Sequence, residues 1–130
     1  MELLSRLRRR HPRMLVDQRY FDEMAKADIV AVPAVAQEAI GRTAVEGMAA
    51  GRPVIASRIG GLPFALDGGK AGLFFEPGNS YDLADKLDQL LDDDGLRRRL
   101  GSAGRERFET RFAWPGIIER QYRPLIEDEP

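Results

Sequence analysis

No cysteine occurs anywhere in the 130-residue chain, and histidine occurs once, as His11. The first absence excludes disulfides, thiolate nucleophiles and cysteine-bound zinc, and it fits a cytoplasmic setting. The second excludes a histidine metal cluster and an internal Ser-His-Asp triad of the usual make-up. Long apolar runs are lacking too. None approaches the ~20 residues needed to cross a bilayer, and the first residues do not form the apolar core of a signal peptide. Charge is nearly balanced, with 20 Lys and Arg against 21 Asp and Glu. The resulting net charge of −1 sets up no whole-chain field for nucleic acid or another polyanion.

What remains is an ordinary globular composition. Apolar residues make up 43% of the chain and charged residues 32%, enough for one domain with a real core and a solvated surface. The pattern alternates strands and helices. Residues 2–10 predict a short basic helix, closed by His11-Pro12 because the residue before proline avoids helical geometry. Residues 13–16 predict a short strand, and 21–27 a helix with Phe21, Met24 and Ala25 on one side. Asp28 then opens Ile-Val-Ala-Val, an apolar run of the kind buried on both faces of a parallel sheet. A helix over 43–50 ends at Gly51, where a left-handed residue costs glycine little. The strand Pro53-Val-Ile-Ala, the turn Gly60-Gly61-Leu62-Pro63 and the strand Ala71-Gly-Leu-Phe-Phe75 follow.

Asn79 or Ser80 caps a helix over 81–91 that carries Leu83, Leu87, Leu90 and Leu91 at helical spacing. A further helix spans 96–108, with Leu96, Leu100, Ala103 and Phe108 inward, and a last one starts at Ile117. These elements predict an α/β fold, a three-layer Rossmann-like domain with a parallel sheet between helices. The organisation divides into 1–26, a basic helix and a truncated entry to the sheet; 27–116, the α/β core; and 117–130, a C-terminal helix and tail.

Ligands of such sheets sit beyond the carboxyl ends of the strands. Two acids occupy that edge, Glu38 on the loop after the Asp28–Val32 strand and Glu46 on the helix that follows. Between them, Ile40-Gly41-Arg42-Thr43 opens the helix, where amides without intrahelical partners and the helix dipole attract phosphate. Carboxylates on either side would accept hydrogen bonds from hydroxyl groups. Phosphate together with hydroxyls describes a nucleotide sugar. Structural readings stand beside this one. Thr43-Ala-Val-Glu46 fits a capping box, and Glu38 fits a solvated loop acid.

The same residues resemble the C-terminal, nucleotide-sugar-binding domain of GT-B glycosyltransferases, in particular the large retaining family 4. The resemblance runs through Ala27-Asp28-Ile-Val-Ala-Val-Pro33, Glu38-Ala-Ile-Gly41 and Glu46-Gly-Met-Ala-Ala-Gly51-Arg-Pro53-Val54. It continues in Gly60-Gly61-Leu62-Pro63, Gly72-Leu73, Pro77-Gly78-Asn79 and Phe112-Ala-Trp114. The resemblance implies retaining transfer of a sugar from a nucleoside diphosphate to an acceptor hydroxyl. Glu38 would face the donor sugar as the catalytic acid residue of the pair, stabilising positive charge at the anomeric carbon. Glu46 would hold the ribose hydroxyls, and Ile40, Gly41, Arg42 and Thr43 would bind the diphosphate and sugar. No metal and no cofactor are implied beyond the nucleotide-sugar substrate, since helix dipole and basic side chains neutralise the leaving diphosphate in GT-B enzymes.

Three positions depart from the family pattern: Ala34 for serine, Gly47 for alanine, and Phe64 for an acid after Gly-Gly-x-Pro. The Phe64 departure bears on local helix capping and donor choice. Two larger parts have no counterpart in the sequence, the Arg- and Lys-bearing loop that clamps the diphosphate and the N-terminal acceptor domain. The chain therefore reads as an incomplete GT-B C-terminal domain that needs the acceptor domain or a partner chain. A catalytically silent nucleotide-sugar-binding or scaffold fragment is the first alternative, and an unrelated α/β interaction domain the second.

Three other features are read structurally. Arg6, Arg8, Arg9, Arg10 and Arg13 form a solvated basic face that leaves peripheral membrane contact open. Asp92-Asp93-Asp94 reads as a linker and N-cap rather than a metal site, and Trp114 as a packing residue. An exposed sheet edge at the truncated end leaves self-association open.

Overall fold

A computed structural model of the chain describes residues 18–36 and 41–113. The predicted basic helix, the strand over 13–16, Glu38, Ile40, Trp114 and the helix from Ile117 lie outside the described residues. Within them the element order is α1 (Gln18–Lys26), β1 (Val30–Val32), α2 (Arg42–Ala49), β2 (Val54–Ser57) and α3 (Leu62–Ala65). A 3-10 turn (Asp67–Gly69), β3 (Leu73–Phe75), α4 (Ser80–Asp92), α5 (Asp94–Arg107) and a π-helical turn (Phe108–Phe112) complete it.

The three strands form one parallel sheet in the order β1-β2-β3. Val30 pairs with Val54, and Ile55 in turn with Leu73. Alternation along the strands sends side chains to two cores. On one face Val30, Val32, Val54, Ala56 and Phe74 meet Ala44 and Met48 of α2 and Leu62 and Leu66 around α3. On the other, Ile55 and Phe75 meet Leu90 of α4 and Leu100 of α5, with Leu83, Leu87 and Leu96 beside them. Met48, Leu62, Leu66 and Leu90 are fully buried. Each such side chain contributes about 1.5–3 kcal/mol relative to exposure.

Burial on both faces falls to β2, all four of whose residues are buried, and not to the Asp28–Val32 run as the sequence predicts. Ala31 of β1 is exposed. Its pairing partner Ile55 lies on the face covered by α4 and α5, whose leucines gather over Ile55, Leu73 and Phe75 and leave Ala31 uncovered. Two other inward residues turn out. Leu91 is 57% exposed, because Leu83, Leu87 and Leu90 already fill the inner stripe of α4. Ala25 is exposed, and Ala27 packs with Met24 in its place.

Helix ends follow local chemistry. Asn79 caps α4, its side chain accepting from the Asp82 amide at 3.0 Å. Asp93 caps α5 by accepting from the Leu96 amide at 2.9 Å, and Asp94 pairs with Arg97 and Arg98. The Asp92–Asp94 run is thus a capping and pairing device. Gly51, at φ 70, closes α2: its amide donates to Met48 O and the Arg52 amide to Gly47 O, the paired bonds of a Schellman ending. Helix α5 then seals three earlier helices with arginines. Arg97 donates to the Leu90 and Leu91 carbonyls of α4, Arg105 to Ala49 O of α2, and Arg107 to the Phe64 and Ala65 carbonyls of α3.

Candidate functional site

Strand β1 runs to the carboxyl edge of the sheet, and the chain returns into α2 at Gly41. Gly41 is the N-cap, with φ 70 and ψ 49, a left-handed conformation that costs an L residue with a Cβ about 1–2 kcal/mol. It is buried against α3, where a Cβ would stand 2.7 Å from Leu62 Cδ2 and 3.7 Å from Ala65 Cβ. The first bond of the helix runs from the Val45 amide to Gly41 O at 3.0 Å. Helix geometry leaves the amides of Arg42, Thr43 and Ala44 without intrahelical acceptors, and among the described residues no side chain caps this end.

The capping box that Thr43 and Glu46 fit in sequence is therefore not formed. It requires Thr43 at the N-cap, but Gly41 takes that position and Thr43 lies inside the first turn. Glu46 instead accepts from Arg42 Nε at 3.2 Å, an ion pair along the helix face in which the Glu46 side chain is 19% exposed and that of Arg42 86%. The arrangement presents first-turn amides that lack intrahelical acceptors, a carboxylate and an exposed guanidinium at one helix end. It can take an anion on the amides and hydroxyl donors on the carboxylate.

The loop after β2 lies at the same edge. Gly60, at φ 57, turns the chain, Gly61 caps α3, and Leu62 reaches Gly41. Gly41, Arg42, Thr43 and Glu46 are thus brought together beside Gly60-Gly61-Leu62, while Glu38 and Ile40 lie outside the described residues. Arg58 joins this edge without belonging to any motif. Its amide donates to Phe75 O at 3.0 Å and its guanidinium lies 4.7 Å over the Phe74 ring. Its one local signal in the sequence is its place directly after the second strand. Phe64, the departure after Gly-Gly-x-Pro, is held by Arg107, whose guanidinium carbon is 5.1 Å from the ring centre.

Two surface hollows lie elsewhere. One of about 370 Å³ is lined by Asp67, Lys70 and Arg107 among others, the second of about 510 Å³ by Gly51, Arg98 and Arg105 among others. Neither is lined by the first turn of α2. Among the described residues no helix is long and apolar enough to cross a membrane.

A parallel α/β sheet between helix layers, with its candidate site on the strand-to-helix loops, is the fold of GT-B glycosyltransferase structures. The chain overlays on the Anabaena protein HepE in complex with UDP with a TM-score of 0.74 at 30% identity, covering 81% of this chain and 29% of that one. It overlays on the C-terminal domain of a glycosyl transferase group 1 family protein from Francisella tularensis with a TM-score of 0.66 at 31% identity, covering 77% of this chain and 51% of that one. In sequence it is 42% identical over 104 residues to a D-inositol 3-phosphate glycosyltransferase from Corynebacterium jeikeium, covering 80% of this chain and 24% of that relative.

The chain belongs to the glycosyl transferases group 1 family, whose model matches residues 16–107. It spans about a quarter of the length of the corynebacterial relative, 24%.

Proposed function

We propose that this chain is the donor-binding part of a retaining glycosyltransferase of the family 4 type, taking a nucleoside-diphosphate sugar at the start of α2. The observation that carries the reading is the first turn of α2, capped by no side chain among the described residues and set by a buried left-handed Gly41 at the carboxyl edge of the sheet. The diphosphate lies on the amides from Gly41 to Thr43, extended by Ile40, with Arg42 beside it. Glu46, one turn in, accepts hydrogen bonds from the ribose hydroxyls. Glu38 faces the donor sugar and stabilises the positive charge that develops at the anomeric carbon as the bond to the leaving diphosphate breaks. The acceptor hydroxyl is positioned by a second domain or a partner chain. The UDP held by the Anabaena neighbour supports this donor class, and the cysteine-free sequence fits a cytoplasmic setting.

Calorimetric titration of the chain with UDP, ADP, GDP and their sugars tests the reading, on wild type and Glu46→Gln. At least one nucleotide is expected to bind the wild type, and Glu46→Gln to bind it about tenfold or more weakly, the scale of a hydrogen bond to a charged group. Absence of binding by every member of the panel overturns the proposal. Slow hydrolysis of the bound donor that disappears in Glu38→Ala would carry the catalytic assignment.

A further inference from the structure

The first turn of α2 lies against a second element. Helix α3 has four residues, too few to persist alone, yet it forms the floor on which Gly41 rests. Both of its fully buried side chains in that floor, Leu62 and Ala65, lie against the position a Gly41 Cβ would occupy. Besides its buried leucine, α3 is held at its C-terminal carbonyls by Arg107. Its Nε donates to Ala65 O at 3.1 Å and its Nη2 to Phe64 O at 2.5 Å. Its guanidinium stands 5.1 Å from the Phe64 ring centre and 5.5 Å from that of Phe112, and the two rings meet edge to face at 6.1 Å and 86°. Asp67, at 3.8 Å from Nη1, completes the surroundings, and the Arg107 side chain is only 12% exposed.

We propose that Arg107 is a positioning residue for the donor site, acting through α3. Resting on the donor-binding reading above, the inference assigns Arg107 a share of nucleotide affinity although it lies on α5, a different element from the candidate site. A planar fork that bonds two successive carbonyls fixes both the height and the rotation of α3. Leu62 and Ala65 transmit that setting to Gly41, whose left-handed conformation aims the Arg42–Ala44 amides. Arg107 is a positioning residue and not a catalytic one.

The comparison that separates positioning from plain stabilisation uses Arg97, whose guanidinium likewise donates to two carbonyls at a helix end, on α4. Arg107→Met and Arg97→Met each remove one such seal. Two readings are taken below the melting transition, the amide resonances of Gly41–Ala44 in the ligand-free chain and the affinity for UDP by calorimetry. Arg107→Met is expected to move those resonances and to weaken UDP roughly tenfold, the scale of one displaced charge-assisted bond. Arg97→Met is expected to leave both as in wild type. Arg107→Lys, which keeps the charge and loses the fork, serves if the methionine variant does not fold, and is expected to move the same resonances by less. Unmoved resonances in both Arg107 variants, or equal shifts in Arg97→Met, overturn the proposal. Moved resonances in a chain whose wild type binds no nucleotide would keep the positioning and remove the donor-binding reading.

Discussion

Gly101 of α5 lies directly against the carbonyl of Gly51 at the end of α2, so that a Cβ on Gly101 would stand 2.5 Å from the Gly51 oxygen. The two helices cross at this point because neither side carries a side chain. Gly101→Ala gains about 1 kcal/mol of helix propensity but must push α5 away from backbone, which has no rotamer to yield. Overpacking of this kind costs about 1–3 kcal/mol, and a lower melting temperature is expected. A variant that melts above wild type would show that the crossing is looser than described.

Gly41 and Gly51 share a φ of 70 and differ in surroundings. Nothing lies within 4 Å of a Cβ on Gly51, whereas Leu62 Cδ2 lies at 2.7 Å on Gly41. Gly51→Ala is therefore expected to cost only the left-handed penalty, about 1–2 kcal/mol. Gly41→Ala adds a steric term at the donor amides and is expected to cost more and to weaken nucleotide binding as well. Urea unfolding of both variants, with titration of UDP, checks the difference in stability and in affinity together.

The Asp92–Asp94 run offers a test of single-residue resolution. Asp93 alone caps α5. Asp93→Ala is expected to lose about 1 kcal/mol and Asp93→Asn only a few tenths, since asparagine caps as well. Asp92→Ala is expected to stay within about 0.5 kcal/mol of wild type. Chemical denaturation of the three variants resolves these steps, and equal losses at 92 and 93 would contradict the cap.

Arg42 is 86% exposed and paired along its own helix. Such pairs contribute about 0.3–0.5 kcal/mol, so Arg42→Ala is expected to leave the unfolding midpoint nearly unchanged. Its effect belongs to binding. Loss of an exposed cation beside the diphosphate is expected to weaken UDP at low salt and to flatten the dependence of affinity on ionic strength. A large stability loss with unaltered salt dependence would place Arg42 in the fold instead.

What was legible in the sequence was what neighbours along the chain decide. Gly51 ends α2 as expected because a left-handed C-terminal residue is a matter of a few adjacent peptide units, and Asn79 caps α4 for the same reason. Strands β1, β2 and β3 and the parallel α/β architecture also follow from the alternation of apolar runs with helical spacing. The opening of α2 around Gly41-Arg42-Thr43 was legible to within a residue, but its cap was not. Thr43-x-x-Glu46 satisfies a local capping pattern, yet the cap falls two positions earlier, at Gly41, which is pressed on Leu62 and Ala65, a contact made only in three dimensions. The place of Phe64 under Arg107 is likewise invisible along the chain, since the two residues meet only once α3 and α5 have packed. Gly47, a departure that weakens α2, has a tertiary reason of the same kind: a Cβ there would stand 3.0 Å from Val54 Cγ2 and 3.1 Å from Val30 Cγ1.

The arginines of α5 carry a consequence for how the molecule comes into being. Synthesis delivers α2, α3 and α4 first, each with terminal carbonyls whose guanidinium partners have not yet been made. Those partners, Arg97, Arg105 and Arg107, all belong to the one later helix α5. Any segment of this chain that ends before α5 therefore lacks the guanidinium partners of three helix ends at once.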